Sequence, residues 1–290
     1  MKESRSSATA RGVLAEAARR LEDAGSPSAR LDAEILLAHC LRCDRLDFLK
    51  NPERPLSESE RTTYEGLVAR RLRGEPVAYL TGRKAFWTLT LEVGPDVLIP
   101  RPDTEVLVEE ALAVCRLAGL AGPRILDVGT GSGAIALALA ADLPGAQIVA
   151  TDISAAALAV ARRNARALGL AGGVTFLEGD LLGPVEGLFD LIVSNPPYIG
   201  AAEYETLPAG VKNYEPRQAL WAGQTGVEFY EKLIYQAPGS LREKGWLLLE
   251  IGAQQSRPVG DILVRAGFYE DITIRADYAG LSRVIRGRRK

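Results

Sequence analysis

Ile125-Leu126-Asp127-Val128-Gly129-Thr130-Gly131-Ser132-Gly133-Ala134 decides how this chain folds. A short apolar run gives a buried strand. The glycines let the backbone turn tightly and approach a ligand. Residues 131–141 then read as a helix, whose first N–H groups have no partner within the helix. Outward from this unit the alternation repeats. Strands are expected at 147–151, ending at Asp152, at 174–177 before Glu178-Gly179-Asp180, at 190–193 and at 246–251. Helices are expected at 154–168, 226–237 and 255–266, and residues 272–274 and 282–286 read as two closing strands. That order predicts an α/β fold built on a doubly wound, parallel sheet, whose ligand crevice lies at the carboxyl ends of the strands.

Upstream the texture is helical from about residue 8 to Gly82. Val13, Leu14, Ala17 and Leu21 recur at helical spacing, and Gly25 closes that segment. Ser26-Pro27 is a helix start with proline at the first position, and Ser57 with Glu60 reads as a capping box. Four or five helices are expected, the last long one carrying Arg70, Arg71 and Arg73 as a solvated face, with a docking surface as the alternative. From Lys84 the period changes to two: Trp87, Leu89, Leu91 and Val93 alternate with polar residues, Gly94-Pro95-Asp96 reads as the turn, and Val97-Leu98-Ile99 returns. The expected organisation is a helical domain at 1–82, a β-hairpin linker at 83–102, and the α/β domain at 103–290.

The 290 residues are 47% hydrophobic and 25% charged, with a net charge of −2. This describes a globular chain without the global basic field of a bulk nucleic-acid binder. Three cysteines, Cys40, Cys43 and Cys115, make no disulfide framework. Cys40-Leu41-Arg42-Cys43 lies in a helical pattern with no second pair, and His39 is the only histidine, so neither a His-rich metal site nor a Ser-His-Asp triad is expected. Residues 1–11 are polar and lack an apolar signal region, and no run is long enough to span a membrane. A cytoplasmic, monomeric enzyme is expected. The terminal Arg286, Arg288, Arg289 and Lys290 read as a solvated end.

The chemistry is carried by four loops on one sheet edge. The glycine loop also fits a loose dinucleotide fingerprint through Gly129, Gly131 and Ala134. Asp152 can accept from both ribose hydroxyls of either NAD or S-adenosylmethionine. Two features separate these readings. Asp180 can accept from the exocyclic amine of adenine while Leu181 covers the ring. Ser194-Asn195-Pro196-Pro197-Tyr198 follows the fourth strand, and its two prolines fix φ and donate no N–H. The Asn195 side-chain oxygen and the Pro196 carbonyl then form a rigid pair of acceptors beside an aromatic plane, suited to holding a planar –NH₂ group. An NAD-dependent oxidoreductase would need a hydride site and a proton relay, which nothing here supplies. A non-enzymatic cofactor-binding module would not need the acceptor pair.

In this order, Asp127 to Gly133, Asp152, Asp180 and Asn195-Pro196-Pro197-Tyr198 resemble the motifs of class I S-adenosylmethionine-dependent amino-methyltransferases. Phe86-Trp87, Leu98-Ile99-Pro100-Arg101-Pro102-Asp103-Thr104-Glu105, Ser194 to Ile199 and Tyr214-Glu215-Pro216 narrow the resemblance to the bacterial PrmC/HemK family, the peptide chain release factor N5-glutamine methyltransferases. It covers nearly the whole chain. Ala222-Gly223-Gln224-Thr225-Gly226-Val227 departs from the glycine-pair and acidic pattern expected there.

The resemblance implies a Rossmann-like methyltransferase sheet behind a small all-α domain, and methyl transfer from S-adenosyl-L-methionine to the glutamine side-chain amide of the G-G-Q motif in class-1 release factors, leaving S-adenosyl-L-homocysteine. It implies cofactor contacts at Gly129, Thr130, Gly131, Ser132, Gly133, Asp152, Asp180, Leu181 and Asn195. Catalytic and substrate contacts fall at Asn195, Pro196, Pro197 and Tyr198, with Phe86 and Arg101 near the pocket. No metal, covalent intermediate or general base is expected, because the sulfonium is already an activated donor and the proton can leave after transfer. The alternative within the same chemistry is a nucleic-acid amino-methyltransferase acting on adenine N6 or guanine N2. That reading calls for a positive track and base extrusion, against which stand the net charge of −2 and 6% aromatic content.

Overall fold

The computed structural model describes residues 9–290. Expectations that fall on residues 1–8, including the polar amino-terminal stretch, lie outside the described residues. The described chain divides into two compact units. One takes the residues up to Gly82 together with Ala209–Tyr214, and the other takes Arg83–Pro208 and Glu215–Lys290.

The first unit has helices at Ala10–Asp23, Ala29–Leu41, Arg45–Lys50, Glu58–Leu72 and Val77–Thr81. Ser57 and Glu60 form the capping box expected of them. Leu21, Leu36, Leu37, Tyr64 and Val68 are fully or almost fully buried in its core, and the Tyr64 hydroxyl donates to the Ala33 carbonyl at 3.1 Å. The second helix starts at Ala29 rather than at Pro27. The hydroxyls of Ser26 and Ser28 donate to Asp32, which holds residues 26–28 as a turn outside the helix. Asp32 also receives Arg71 at 2.8 Å in a largely buried pair, and Arg70 pairs with Glu75. The expected solvated arginine face is therefore partly a set of internal struts. Cys40, a free thiol, donates to the Glu60 carbonyl, and Cys43 is also free.

The second unit opens with an antiparallel hairpin, β1 (Arg83–Phe86) and β2 (Leu89–Glu92). Its turn lies at Trp87, not at Gly94-Pro95-Asp96, and Val97 to Ile99 form no strand. Trp87 adopts a positive φ of 56°. That conformation is held by its N–H donating to Glu105 and its indole N–H donating to Asp142, both at 2.9 Å. Long-range partners thus outweigh the local turn signal of Gly94-Pro95.

The sheet strands follow as β3 (Arg124–Val128), β4 (Gln147–Asp152), β5 (Val174–Glu178) and β6 (Phe189–Ser194). A small parallel ribbon, β7 (Ile199–Gly200) with β8 (Trp221–Gly223), interrupts before β9 (Leu241–Glu250), β10 (Tyr269–Ala276) and β11 (Ser282–Arg289). The main sheet has the order β10-β11-β9-β6-β3-β4-β5, parallel except where β11 pairs with β9 and β10. Alternating residues face opposite layers. Ile125, Leu191 and Val193 pack with the helices Glu105–Leu117 and Ala134–Asp142. Leu126, Val128 and Ile192 pack with the helices Glu228–Gln236 and Ser256–Ala266. The terminal arginines are not a solvated end. Arg286 pairs with Glu110 and lies over the Trp246 ring, and Arg288 pairs with Glu270 and Asp271.

After β3 the chain winds outward through β4 and β5, then returns to the other side of β3 as β6. The switch point is therefore between β3 and β6, where open α/β sheets bind ligands.

Candidate functional site

Parallel register brings the two key loops together. Val128 pairs with Ser194, so the glycine loop leaving β3 and the Asn-Pro-Pro-Tyr segment leaving β6 begin side by side. The Ser194 hydroxyl ties the two strand ends by donating to the Val128 carbonyl at 2.7 Å. The N–H groups of Gly129 and Thr130 both donate to the Thr151 carbonyl, at 2.8 and 2.9 Å, which fixes the loop against β4. A crevice of about 360 Å³ opens over these strand ends.

Of the sequence-predicted cofactor residues, Gly129, Gly131, Asp152, Asp180, Leu181 and Asn195 line this crevice. Thr130, Ser132 and Gly133 support it from behind. The Thr130 hydroxyl donates to Asp127 at 2.7 Å, and the Ser132 carbonyl accepts from the Asn164 amide at 2.9 Å. A Cβ at Gly133 would stand 3.0 Å from Leu137 Cδ1. The crevice fits a nucleoside-bearing cofactor on three observations. Gly131 has φ of 56°, and open space lies where its Cβ would be. The Asp152 carboxylate sits at the end of β4. Leu181 and Ile153 supply apolar wall.

Asp152 is anchored by accepting from the Gly131 and Ser154 N–H groups at 2.8 and 2.9 Å. Burial raises its pKa, against the pull of those backbone bonds. Asp127 is fully buried. Burial pushes it up to about 7, while the Thr130 hydroxyl and the Ala136 N–H pull the other way.

Asn195, Pro196 and Pro197 also line the crevice. The Asn195 side-chain nitrogen donates to the Thr104 hydroxyl at 3.2 Å, so its carbonyl oxygen is left to accept. The Pro196 carbonyl takes no hydrogen bond among the described residues. Tyr198 packs against the core layer beneath rather than the crevice wall, and burial pushes its phenol up to about 12. Its carbonyl accepts from the Gln255 amide at 2.9 Å, and that same amide donates to the Gly226 carbonyl at 3.1 Å. Gln255 thus joins the divergent 222–227 loop to the Asn-Pro-Pro-Tyr segment.

Two expected pocket residues lie elsewhere. Phe86 is 1% exposed and packs in the core layer beside Leu91, because the turn at Trp87 drives it inward. The Arg101 guanidinium is paired with Glu215, whose carboxylate also accepts the Ile99 N–H at 3.1 Å. Arg101 therefore holds the Leu98–Glu105 stretch in shape and does not line the crevice. Thr104, Glu215 and Gln255 were missed as supports. Thr104 and Glu215 stand in the quoted motif stretches, but nothing local gives them this role, since each acts on a residue far away in sequence.

Two family models match the chain: the PrmC N-terminal domain over residues 12–82 and the methyltransferase small domain over residues 104–208. The release factor glutamine methyltransferase of Moorella thermoacetica is 46% identical, with 95% of this chain and 96% of that protein covered. The release factor glutamine methyltransferase of Geobacter sulfurreducens is 44% identical, covering 97% and 96%. A methyltransferase of Pyrococcus furiosus with a solved structure shares the fold at a TM-score of 0.52 and 22% identity, over 76% of this chain and 96% of that one.

Proposed function

This chain belongs to the release factor glutamine methyltransferase family, and we propose that it transfers a methyl group from S-adenosylmethionine to the side-chain amide nitrogen of the glutamine in the G-G-Q motif of class-1 release factors. The observation that carries this reading is the acceptor pair at the crevice wall. Asn195 spends its N–H on Thr104, and the prolines following it leave a backbone carbonyl free.

An amide nitrogen is a poor nucleophile because its lone pair is delocalised into the carbonyl. Its two N–H groups can be held by the Asn195 side-chain oxygen and the Pro196 carbonyl. Those bonds fix the amide plane and favour charge developing on nitrogen during attack. Orientation of this kind contributes several kcal/mol, with a ceiling of roughly 7–11 kcal/mol for well-aligned pairs. Pro197 stiffens the segment, and Tyr198 anchors its far end. Gly129 and Gly131, Asp152, Asp180 and Leu181 would hold the cofactor. Its sulfonium, when bound, supplies an already activated methyl, and the chain's task is alignment and exclusion of water. The region of residues 1–82 serves substrate recognition, and the second unit, opened by the hairpin at residues 83–92, carries the transfer. The protein acts as a cytoplasmic monomer without a metal.

The test is transfer of label from tritiated S-adenosylmethionine to purified release factor, tRNA or DNA. Label on release factor supports the reading. Label on nucleic acid alone replaces it with a base amino-methyltransferase.

A further inference from the structure

Gln255 stands at the N-cap position of the Ser256–Ala266 helix, and its side-chain amide is engaged on both sides. The nitrogen donates to the Tyr198 carbonyl at 2.9 Å and to the Gly226 carbonyl at 3.1 Å. The oxygen accepts from the Gly252 N–H at 3.0 Å. It also lies 3.2 Å from the Tyr230 hydroxyl, whose hydrogen it shares with the Glu250 carbonyl. An amide offers two N–H donors and one acceptor oxygen. Turned over, it would set its oxygen against two carbonyls and its NH₂ against the Gly252 N–H. The surrounding backbone therefore fixes which way Gln255 points.

Tyr198 closes the acceptor segment. Few torsions are soft between the Pro196 and Tyr198 carbonyls. Both proline rings fix φ, and Pro197 restricts ψ of Pro196. Rotation about the Pro197–Tyr198 peptide and within Tyr198 is what remains. The Ser194 hydroxyl pins the start of the segment on the Val128 carbonyl, and Gln255 pins its end. The 222–227 loop completes the grip. The Ala201 N–H donates to the Gln224 carbonyl at 3.3 Å, and the Thr225 N–H donates to Glu228 at 2.8 Å. Gly226 has a φ of 85°. A Cβ there would stand 2.7 Å from the Tyr198 carbonyl oxygen and 3.0 Å from the Gln255 nitrogen. Only glycine lets the loop lie this close to the carbonyl that Gln255 holds.

We propose that Gln255 is a positioning residue for methyl transfer: with Gly226 it clamps the Tyr198 carbonyl, and so keeps the Pro196 carbonyl in register with the Asn195 side-chain oxygen. This rests on the reading of Asn195 and Pro196 as the acceptor pair. The two acceptors are held by separate devices. Thr104 orients Asn195, and the clamp orients the backbone that follows it. Gln255 and Gly226 stand outside the crevice wall, so the clamp acts through the segment and not by touching cofactor or substrate. The 222–227 loop thereby gains a task that its departure from the family pattern does not reveal.

The experiment compares Gln255→Met, Gln255→Glu, Asn195→Ala and the Gln255→Met/Asn195→Ala double variant with wild type. Single-turnover methylation of release factor is measured at saturating S-adenosylmethionine, with the affinities for cofactor and release factor measured alongside. Rates are expressed per cofactor-binding site, so unfolded protein is not counted. Gln255→Met keeps the length and loses both donors. It is expected to lower the transfer rate by about 10–100-fold, with both affinities unchanged. Gln255→Glu keeps the shape but turns a carboxylate on two carbonyls, and should lose at least as much. In the double variant the loss should be smaller than the product of the single losses, because the two residues serve one alignment. A wild-type rate in Gln255→Met and Gln255→Glu overturns the proposal, as does a fall in cofactor affinity equal to the fall in rate, or a fully multiplicative double variant. Full turnover in Asn195→Ala would instead overturn the reading beneath it. Inactive Asn195→Ala beside fully active Gln255→Met refutes the clamp alone.

Discussion

The amide nitrogen of Asn195 donates to the hydroxyl of Thr104 at 3.2 Å across 91 positions of sequence. This one bond joins the end of β6 to the Leu98–Glu105 stretch. It also decides which face of the Asn195 amide is offered to the crevice.

Replacing Asn195 by Ala removes one of two acceptors for the substrate amide. A lost preorganised hydrogen bond of this kind costs about 10²–10³ in rate. Rapid-quench transfer should show that loss, while calorimetry with S-adenosylmethionine shows affinity reduced only a few-fold. Equal losses in both would mean that Asn195 serves the cofactor and not the acceptor.

Gly131 and Gly133 differ in what a Cβ would meet. At Gly131 it projects into open space beside the crevice. At Gly133 it meets Leu137 and Ala161, at 3.0 and 3.3 Å. Both have positive φ, which costs a non-glycine residue about 1–2 kcal/mol. Gly133→Ala should therefore lower Tm more than Gly131→Ala does. Gly131→Ala should lose the more cofactor affinity. Melting curves with and without S-adenosylmethionine separate the two, and the reverse ranking would contradict the placement of the loop.

Glu250 has a folded-state pKa raised from 4.5 to about 7. The folded state binds its proton more tightly, so its contribution to stability is fully present below pH 4.5 and is lost as pH rises through about 7. Glu250→Gln should gain on wild type across that window, by about 3 kcal/mol at most. The two melting curves, compared from pH 4.5 to 8, should diverge in favour of the variant. A constant difference would refute the shift. Asp127, also raised to about 7 by burial, loses stability in the same direction.

Arg101→Ala leaves the Glu215 carboxylate, 1% exposed, without its cation. Breaking a fully buried pair costs 3–5 kcal/mol. Arg101 is 35% exposed, so about 1–3 kcal/mol is expected here. Chemical denaturation should show this loss with cofactor affinity intact. An undisturbed midpoint with weakened cofactor binding would return Arg101 to the crevice.

The sheet was legible because β3, β4, β5 and β6 are short apolar runs, each closed by a loop of recognisable composition. Parallel pairing then brought Asp152, Asp180 and Asn195 to one edge without further information. The hairpin was misplaced because Trp87 turns on contacts to Glu105 and Asp142, which outweigh the local signal at Gly94-Pro95. Phe86 was misassigned for the same reason. Thr104 belongs to the Leu98–Glu105 stretch, but its hydroxyl caps no helix and accepts from Asn195 instead, a contact across 91 positions that the local sequence does not announce. Glu250 ends an apolar strand and carries no motif. Its burial depends on β9 lying beside β6, a neighbour relation that one sequence does not announce.

The most direct test of the central claim is mass spectrometry of a class-1 release factor incubated with the purified protein and S-adenosylmethionine. One methyl mapped to the side-chain amide of the G-G-Q glutamine, and absent with Asn195→Ala, is the predicted result. An unmodified glutamine under conditions where the enzyme methylates tRNA or DNA would contradict it.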